Sequence, residues 1–147
     1  MSWILVVDDD VSTRDTVRFV LEDASYHVLE AADGHAALAI LAEATAPLVA
    51  LIDLLMPGMD GVDLLRSILA DARLATRHRY IGMTAAVGPV TPQAEALLAK
   101  LHGAFLEKPF GIDTLLEAVA QACDSLNAPD PPTTAKGVTN PPTPTGQ

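Results

Sequence analysis

At 147 residues the chain is long enough for one well-built domain and too short for two. Its nineteen acidic side chains against nine lysines and arginines leave a net charge of −10, which excludes unaided binding to nucleic acid, where cations must displace counterions from phosphates. The same acidity suits a metal ion or a basic protein partner, the single Cys123 excludes an internal disulfide, and no apolar run reaches membrane-spanning length, so a soluble cytoplasmic protein is the expectation.

Residues 3–7 form a short apolar run that stops abruptly at Asp8-Asp9-Asp10, and Ser12 or Thr13 offers a cap for a helix with Val17, Val20 and Leu21 on one side. Residues 26–31 read as a second strand, broken by Asp33-Gly34 ahead of an Ala/Leu-rich helix over 35–43. Pro47 restarts the chain as a third strand, whose uninterrupted apolar run ends in one carboxylate, Asp53. Buried parallel strands read in this continuous way.

After Gly61, Val62, Leu64, Leu65, Ile68 and Leu69 recur at helical spacing, and residues 73–78 read as a polar connection. A fourth strand over 79–84 ends in the hydroxyl of Thr84. Gly88-Pro89 and Thr91-Pro92 then make a stiff loop with a cap and a first-turn proline. A helix through 97–101 closes at His102-Gly103, residues 104–107 form the fifth strand, and Lys108-Pro109-Phe110-Gly111 leads into a last amphipathic helix over about 112–126.

Five strands alternating with five helices predict an α/β fold of right-handed βαβ units, a doubly wound five-stranded parallel sheet with helices on both faces. The composition changes beyond Leu126, giving a folded domain over residues 1–126 and a Pro/Thr-rich disordered tail or linker over 127–147, which holds six of the eleven prolines. Cys123 and the methionines Met56, Met59 and Met83 read as fillers of core and loop. His27, His35, His78 and His102 lack ligand spacing and read as surface or helix-end residues. Arg73, Arg77 and Arg79 read as a solvated basic face.

Open α/β sheets bind ligands in the crevice outside the carboxyl ends of their strands. Four of the strand ends carry polar groups: Asp8 and Asp9 after the first, Asp53 after the third, Thr84 after the fourth and Lys108 after the fifth. Three clustered carboxylates repel one another and make sense mainly around a hard cation. Mg²⁺ fits, because it takes a few carboxylate oxygens, keeps waters and recruits phosphate oxygens. Lys108 and the Thr84 hydroxyl then supply a positive charge and a donor for a phosphoryl group.

On these residues the chain resembles the receiver domain of bacterial two-component response regulators, chemotaxis response regulators among them, across roughly residues 2–125. Val6-Val7-Asp8-Asp9-Asp10 is similar to the family's first-strand acidic pair, and Asp53 with Met56-Pro57 and Asp60-Gly61 to its phosphoacceptor and following loop. Met83-Thr84-Ala85 is similar to its switch hydroxyl and Lys108-Pro109-Phe110 to its lysine and the proline after it. The resemblance implies a flavodoxin-like sheet of order 2-1-3-4-5. It also implies that Asp53 takes a phosphoryl group from a sensor histidine kinase or a histidine phosphotransfer protein. Asp9, Asp53 and the Leu55 carbonyl would ligate Mg²⁺ directly, and Asp8 mostly through water.

Lys108 would pair with a phosphoryl oxygen, Thr84 would move inward to bond another, and Phe105 would turn into the space vacated. The surface of the fourth helix, fifth strand and fifth helix would carry the output, and could pair two copies in a homodimer. Leu55 and Ala86, two residues after Asp53 and Thr84, cannot orient a water, so a long-lived phosphorylated state is expected. The family's members signal; they are not enzymes in the ordinary sense, beyond promoting their own phosphoryl transfer and its slow loss.

Two other readings compete with this one. Asp8-x-Asp10 after a short strand is also how haloacid-dehalogenase-type phosphatases begin, with the first acid as nucleophile, but those need a larger chain and leave the residues after Asp53 unexplained. A phosphorylation-independent receiver-like binding module would be expected to lose an acid or the lysine, and this chain keeps all of them. No helix-turn-helix, GGDEF-like or kinase-like segment follows Leu126, so the expectation is a receiver that acts by docking or relay, or one cut from a longer regulator at its Pro/Thr linker.

Overall fold

The computed structural model describes residues 2–54, 61–85 and 92–127. The expected contribution of Leu55, the turn through Met56 and Pro57, the Ala86 position, the loop after Ala85 and the segment 128–147 lie outside the described residues. The elements are β1 (Trp3–Val7), α1 (Val11–Asp23), β2 (His27–Ala31), α2 (Gly34–Glu43), β3 (Leu48–Asp53), α3 (Gly61–Leu69), α4 (Ala72–Arg77), β4 (Arg79–Ala85), α5 (Pro92–Lys100), β5 (Ala104–Lys108) and α6 (Ile112–Asn127). All five strands are parallel, in the order β2-β1-β3-β4-β5.

The continuous apolar strands divide by parity. Leu5, Val7, Ala50, Ile52 and Tyr80 face one way, into a layer with Leu41 of α2, Leu64, Leu65 and Ile68 of α3, Leu74 of α4 and Leu98 of α5. Ile4, Val6, Val49, Leu51, Ile81, Met83 and Leu106 face the other, against Val17 and Leu21 of α1 and Leu115, Val119 and Cys123 of α6. Every side chain of β3 is buried, as a central strand covered on both faces requires. Met83 and Cys123 fill the core as expected.

Local chemistry differs from the sequence reading at five places. Residues 73–78, expected as a polar connection, contain α4, so six helices occur among the described residues rather than five. Its six residues bury only Leu74, too few for a periodic stripe, yet the Asp71 carboxylate accepts the Arg73 amide and starts the turn. The cap of α1 is Asp10, which accepts from the Ser12 amide, and not Ser12 or Thr13; those two are already helical. Strand β2 starts at His27, one residue later than expected, because Tyr26 still closes α1 through its amide to the Leu21 carbonyl.

His78 is not a surface residue. It is fully buried between two chain segments: the Leu48 amide donates to Nδ1 at 2.9 Å, and Nε2 donates to the Leu41 carbonyl at 3.1 Å. The neighbouring Tyr80, also buried, donates its hydroxyl to the Leu74 carbonyl at 2.6 Å. Arg79 departs from the expected solvated face too, since its Nε donates to Ser125 Oγ at 2.9 Å and ties the start of β4 to the end of α6.

Candidate metal and phosphoryl site

The β-sheet ladder runs one step past β1: the Asp8 amide donates to the Ala31 carbonyl at 3.1 Å, so this acid is still under sheet control and is wholly buried. Asp9, one residue further, is exposed. Asp53 is the last residue of β3, 8% exposed, and pairs in register with Met83. Just beyond it the Leu54 amide donates to the Met83 carbonyl at 3.0 Å, which fixes the strand end against β4. Carboxylate oxygens of Asp8, Asp9 and Asp53 lie within 4.8 Å of one another, a donor set of hard oxygens that suits a divalent cation.

Lys108 closes this cluster from the end of β5. Its Nζ donates to Asp8 Oδ2 at 2.9 Å and stands 3.6 Å from Asp53 Oδ2. Burial pulls the ammonium's pKa down, but the Asp8 hydrogen bond and the charges of Asp53 and Asp8 outweigh it, leaving a net upward shift. The lysine is therefore a cation throughout the neutral range. Thr84, 8% exposed, lies one register step past the Met83–Asp53 pair. Phe105, by contrast, is 40% exposed and pairs with Gly82 in register.

The structure thus brings Asp8, Asp9, Asp53 and Lys108 into direct proximity, sets Thr84 at the adjoining strand end, and leaves Phe105 outside the cluster on the β5 edge. A family profile for the response regulator receiver domain matches residues 4–120. The chain belongs to the response regulator receiver family. It is 34% identical over 125 residues to the chemotaxis protein CheY of Pseudomonas aeruginosa, covering 84% of this chain and 98% of that one. It is 36% identical over 124 residues to CheY-3 of Vibrio cholerae, covering 84% and 92%. Among solved structures, a CheY-like receiver from Methanospirillum hungatei superposes with a TM-score of 0.71 at 28% identity, over 86% of this chain and 98% of that one.

The receiver reading accounts for the fold, for the flavodoxin-like strand order and for a two-component signalling role. Receivers are signalling proteins that work with histidine kinases and are not enzymes in the ordinary sense. No helix among the described residues is long and apolar enough to cross a membrane.

At this receiver's site one residue, Arg14, escaped the sequence reading, and another, Asp10, was legible only as an extra acid beside the metal-binding pair. Asp10 does double duty, its amide donating to Asp8 Oδ1 at 3.0 Å while its carboxylate caps α1. The Thr13 hydroxyl first, then the first-turn amides, hold the Asp10 carboxyl below its ordinary value against the opposing effect of desolvation. Arg14 Nη1 donates to the Asp8 carbonyl at 2.7 Å. The one available signal was its spacing, since 14, 17 and 21 continue the buried stripe of α1 with a charged side chain.

Proposed function

We propose that this receiver accepts a phosphoryl group on Asp53 from a histidine kinase or a histidine phosphotransfer protein. The observation that carries the reading is Lys108 Nζ, which spans Asp8 and Asp53 inside a triad of carboxylates. An Asp53 oxygen attacks phosphorus, the phosphorus–oxygen bond forms as the bond to the donor's imidazole nitrogen breaks, and the histidine leaves. Lys108 then turns one of its donors from carboxylate to a phosphoryl oxygen, and the Thr84 hydroxyl donates to another. Asp9 and Asp53 would hold Mg²⁺ and Asp8 would hold it through water, while the Leu55 carbonyl, which the family resemblance adds to the set, lies outside the described residues. The ion, when bound, offsets the negative charge gathered where a carboxylate and a phosphoryl group must meet.

The output face follows from the same reading. It comprises α5, β5 and α6 in the present numbering, because α4 adds one helix ahead of them. A groove of about 330 Å³ between β5 and α6, with Phe105, Glu117, Gln121 and Ser125 along it, and the exposed ring of Phe105 support this face as the docking or homodimer surface. Residues 1–126 form the cytoplasmic receiver and 127–147 its tail or linker.

The test is intact mass after incubation with Mg²⁺ and acetyl phosphate, beside Asp53→Asn. A gain of one phosphoryl group by the parent, only with Mg²⁺ and not by the variant, is expected. An unmodified parent with an intact fold refutes it and directs the search to a partner indifferent to phosphorylation. With Leu55 and Ala86 unable to orient water, the label should persist for minutes or longer; decay within seconds, no phosphatase being present, refutes that part.

A further inference from the structure

We propose that Arg14 is a positioning residue of the acidic centre: by clamping the Asp8 carbonyl to β2 it sets where the Asp9 carboxylate stands. The inference rests on the metal-binding reading above. Its observation is a fork. Arg14 Nη1 donates to the Asp8 carbonyl at 2.7 Å while Nε donates to Glu30 Oε1 at 3.2 Å. Glu30 belongs to β2, where it pairs in register with Val6, and its other oxygen accepts from Arg18 Nη1 at 2.6 Å. Arg18 in turn pairs with Glu22 one helical turn away.

An ordinary surface ion pair would not deserve this weight, since such pairs contribute little. Arg14, however, is only 15% exposed, and it spends one nitrogen on a backbone oxygen of the acidic loop. The carbonyl it holds is part of the peptide plane that joins Asp8 to Asp9. The Asp8 amide is already tied to Ala31 of β2. With the carbonyl also tied to β2 through Arg14 and Glu30, the plane leading into Asp9 loses its freedom to rotate. Asp9 is exposed and lies beyond the last sheet hydrogen bond, so this plane is what aims it.

Charge alone and positioning make different forecasts. A guanidinium beside three carboxylates repels an incoming cation, so by charge alone its removal should tighten Mg²⁺ binding. Positioning requires the opposite, because partners that orient metal ligands change affinity by roughly 10–100-fold when lost. The experiment is calorimetric titration of the metal-free protein with Mg²⁺ for the parent, Arg14→Lys, Arg14→Met and Arg18→Met, each checked for cooperative thermal unfolding.

Arg14→Lys keeps the charge and loses the planar fork; it should bind Mg²⁺ about tenfold more weakly, with displaced Asp9 and Asp10 amide resonances. Arg14→Met should also weaken binding, whereas Arg18→Met, which touches no atom of the acidic loop, should not. Affinity unchanged in Arg14→Lys overturns the proposal, and does so even if Arg14→Met fails to fold. A parent that takes up no Mg²⁺ overturns both this proposal and the metal-binding reading beneath it.

Discussion

Lys108 is a cation held by two carboxylates, one of them wholly buried, and its removal takes away the salt-bridge partner of Asp8. Losing one partner of a buried pair is costly, and the partial exposure of the lysine discounts this to about 2 kcal/mol. Lys108→Met should lower the stability of the metal-free protein by that amount in urea titration, and Mg²⁺ should restore much of it by taking over the neutralising role. An equal deficit with and without Mg²⁺ would show that the lysine and the ion do not share a task. The raised pKa of Lys108 means its contribution is complete below the ordinary lysine value of 10.5 and is lost only as pH rises through the folded value.

His78 carries the opposite sign. Burial lowers its pKa below the ordinary 6.5, Arg77 adds to the lowering and the Leu41 carbonyl opposes it. The unfolded chain therefore binds the proton first, so stability falls as pH drops through 6.5 and goes on falling toward the folded value. His78→Leu should flatten that slope in denaturation curves taken between pH 7 and 5.5. At neutral pH it should cost about 2–4 kcal/mol by stranding the Leu48 amide and the Leu41 carbonyl. A variant with the parent's slope would exclude His78 as the source. Asp8, Asp9, Asp53, Thr84 and Lys108 were legible because each interrupts an apolar run at a strand end. His78 and Arg14 were not, since His78 holds groups 30 and 37 residues away and Arg14 joins the Asp8 carbonyl to Glu30, 16 residues on, through a backbone contact that no residue type announces.

At the scale of elements, the placement of Asp53 depends on how closely α3 starts behind it. A Cβ on Gly61 would come within 2.4 Å of the Leu54 Cα and 2.6 Å of the Asp53 carbonyl oxygen, both backbone atoms that cannot swing aside. Gly61→Ala should therefore shift the end of β3, cost about 1–3 kcal/mol, and slow phosphorylation by acetyl phosphate more than a stability loss alone explains. Full activity in a destabilised Gly61→Ala would separate the two effects and refute the link. The strands and the long helices were readable from hydrophobic period. The short α4 was not, because six residues with two arginines and one buried leucine look polar until Asp71 caps them against the start of β4. Positive φ at Ser25 ends α1 without the glycine that would advertise a stop, whereas the positive φ of His102 falls at the His102-Gly103 pair expected to close α5.

For the whole molecule, parity along five parallel strands makes two separate cores, and the polar strand ends gather at one edge of the sheet between them. With a net charge of −10, cation binding there should be salt-dependent. Mg²⁺ at about a hundred times its dissociation constant should stabilise the fold by about 2.7 kcal/mol, and a melting temperature indifferent to Mg²⁺ would contradict the centre altogether. The Lys108–Asp8 contact has a consequence for time as well as for charge. It joins residues 100 positions apart, so it cannot close until β5 has docked and the entropy of that span is lost. Rapid-mixing kinetics of Lys108→Met should show faster unfolding with an almost unchanged refolding rate, the mark of a contact made after the barrier. A chain in which β5 has yet to dock holds the acids without their lysine, so competence to receive a signal arrives only when assembly of the sheet is finished.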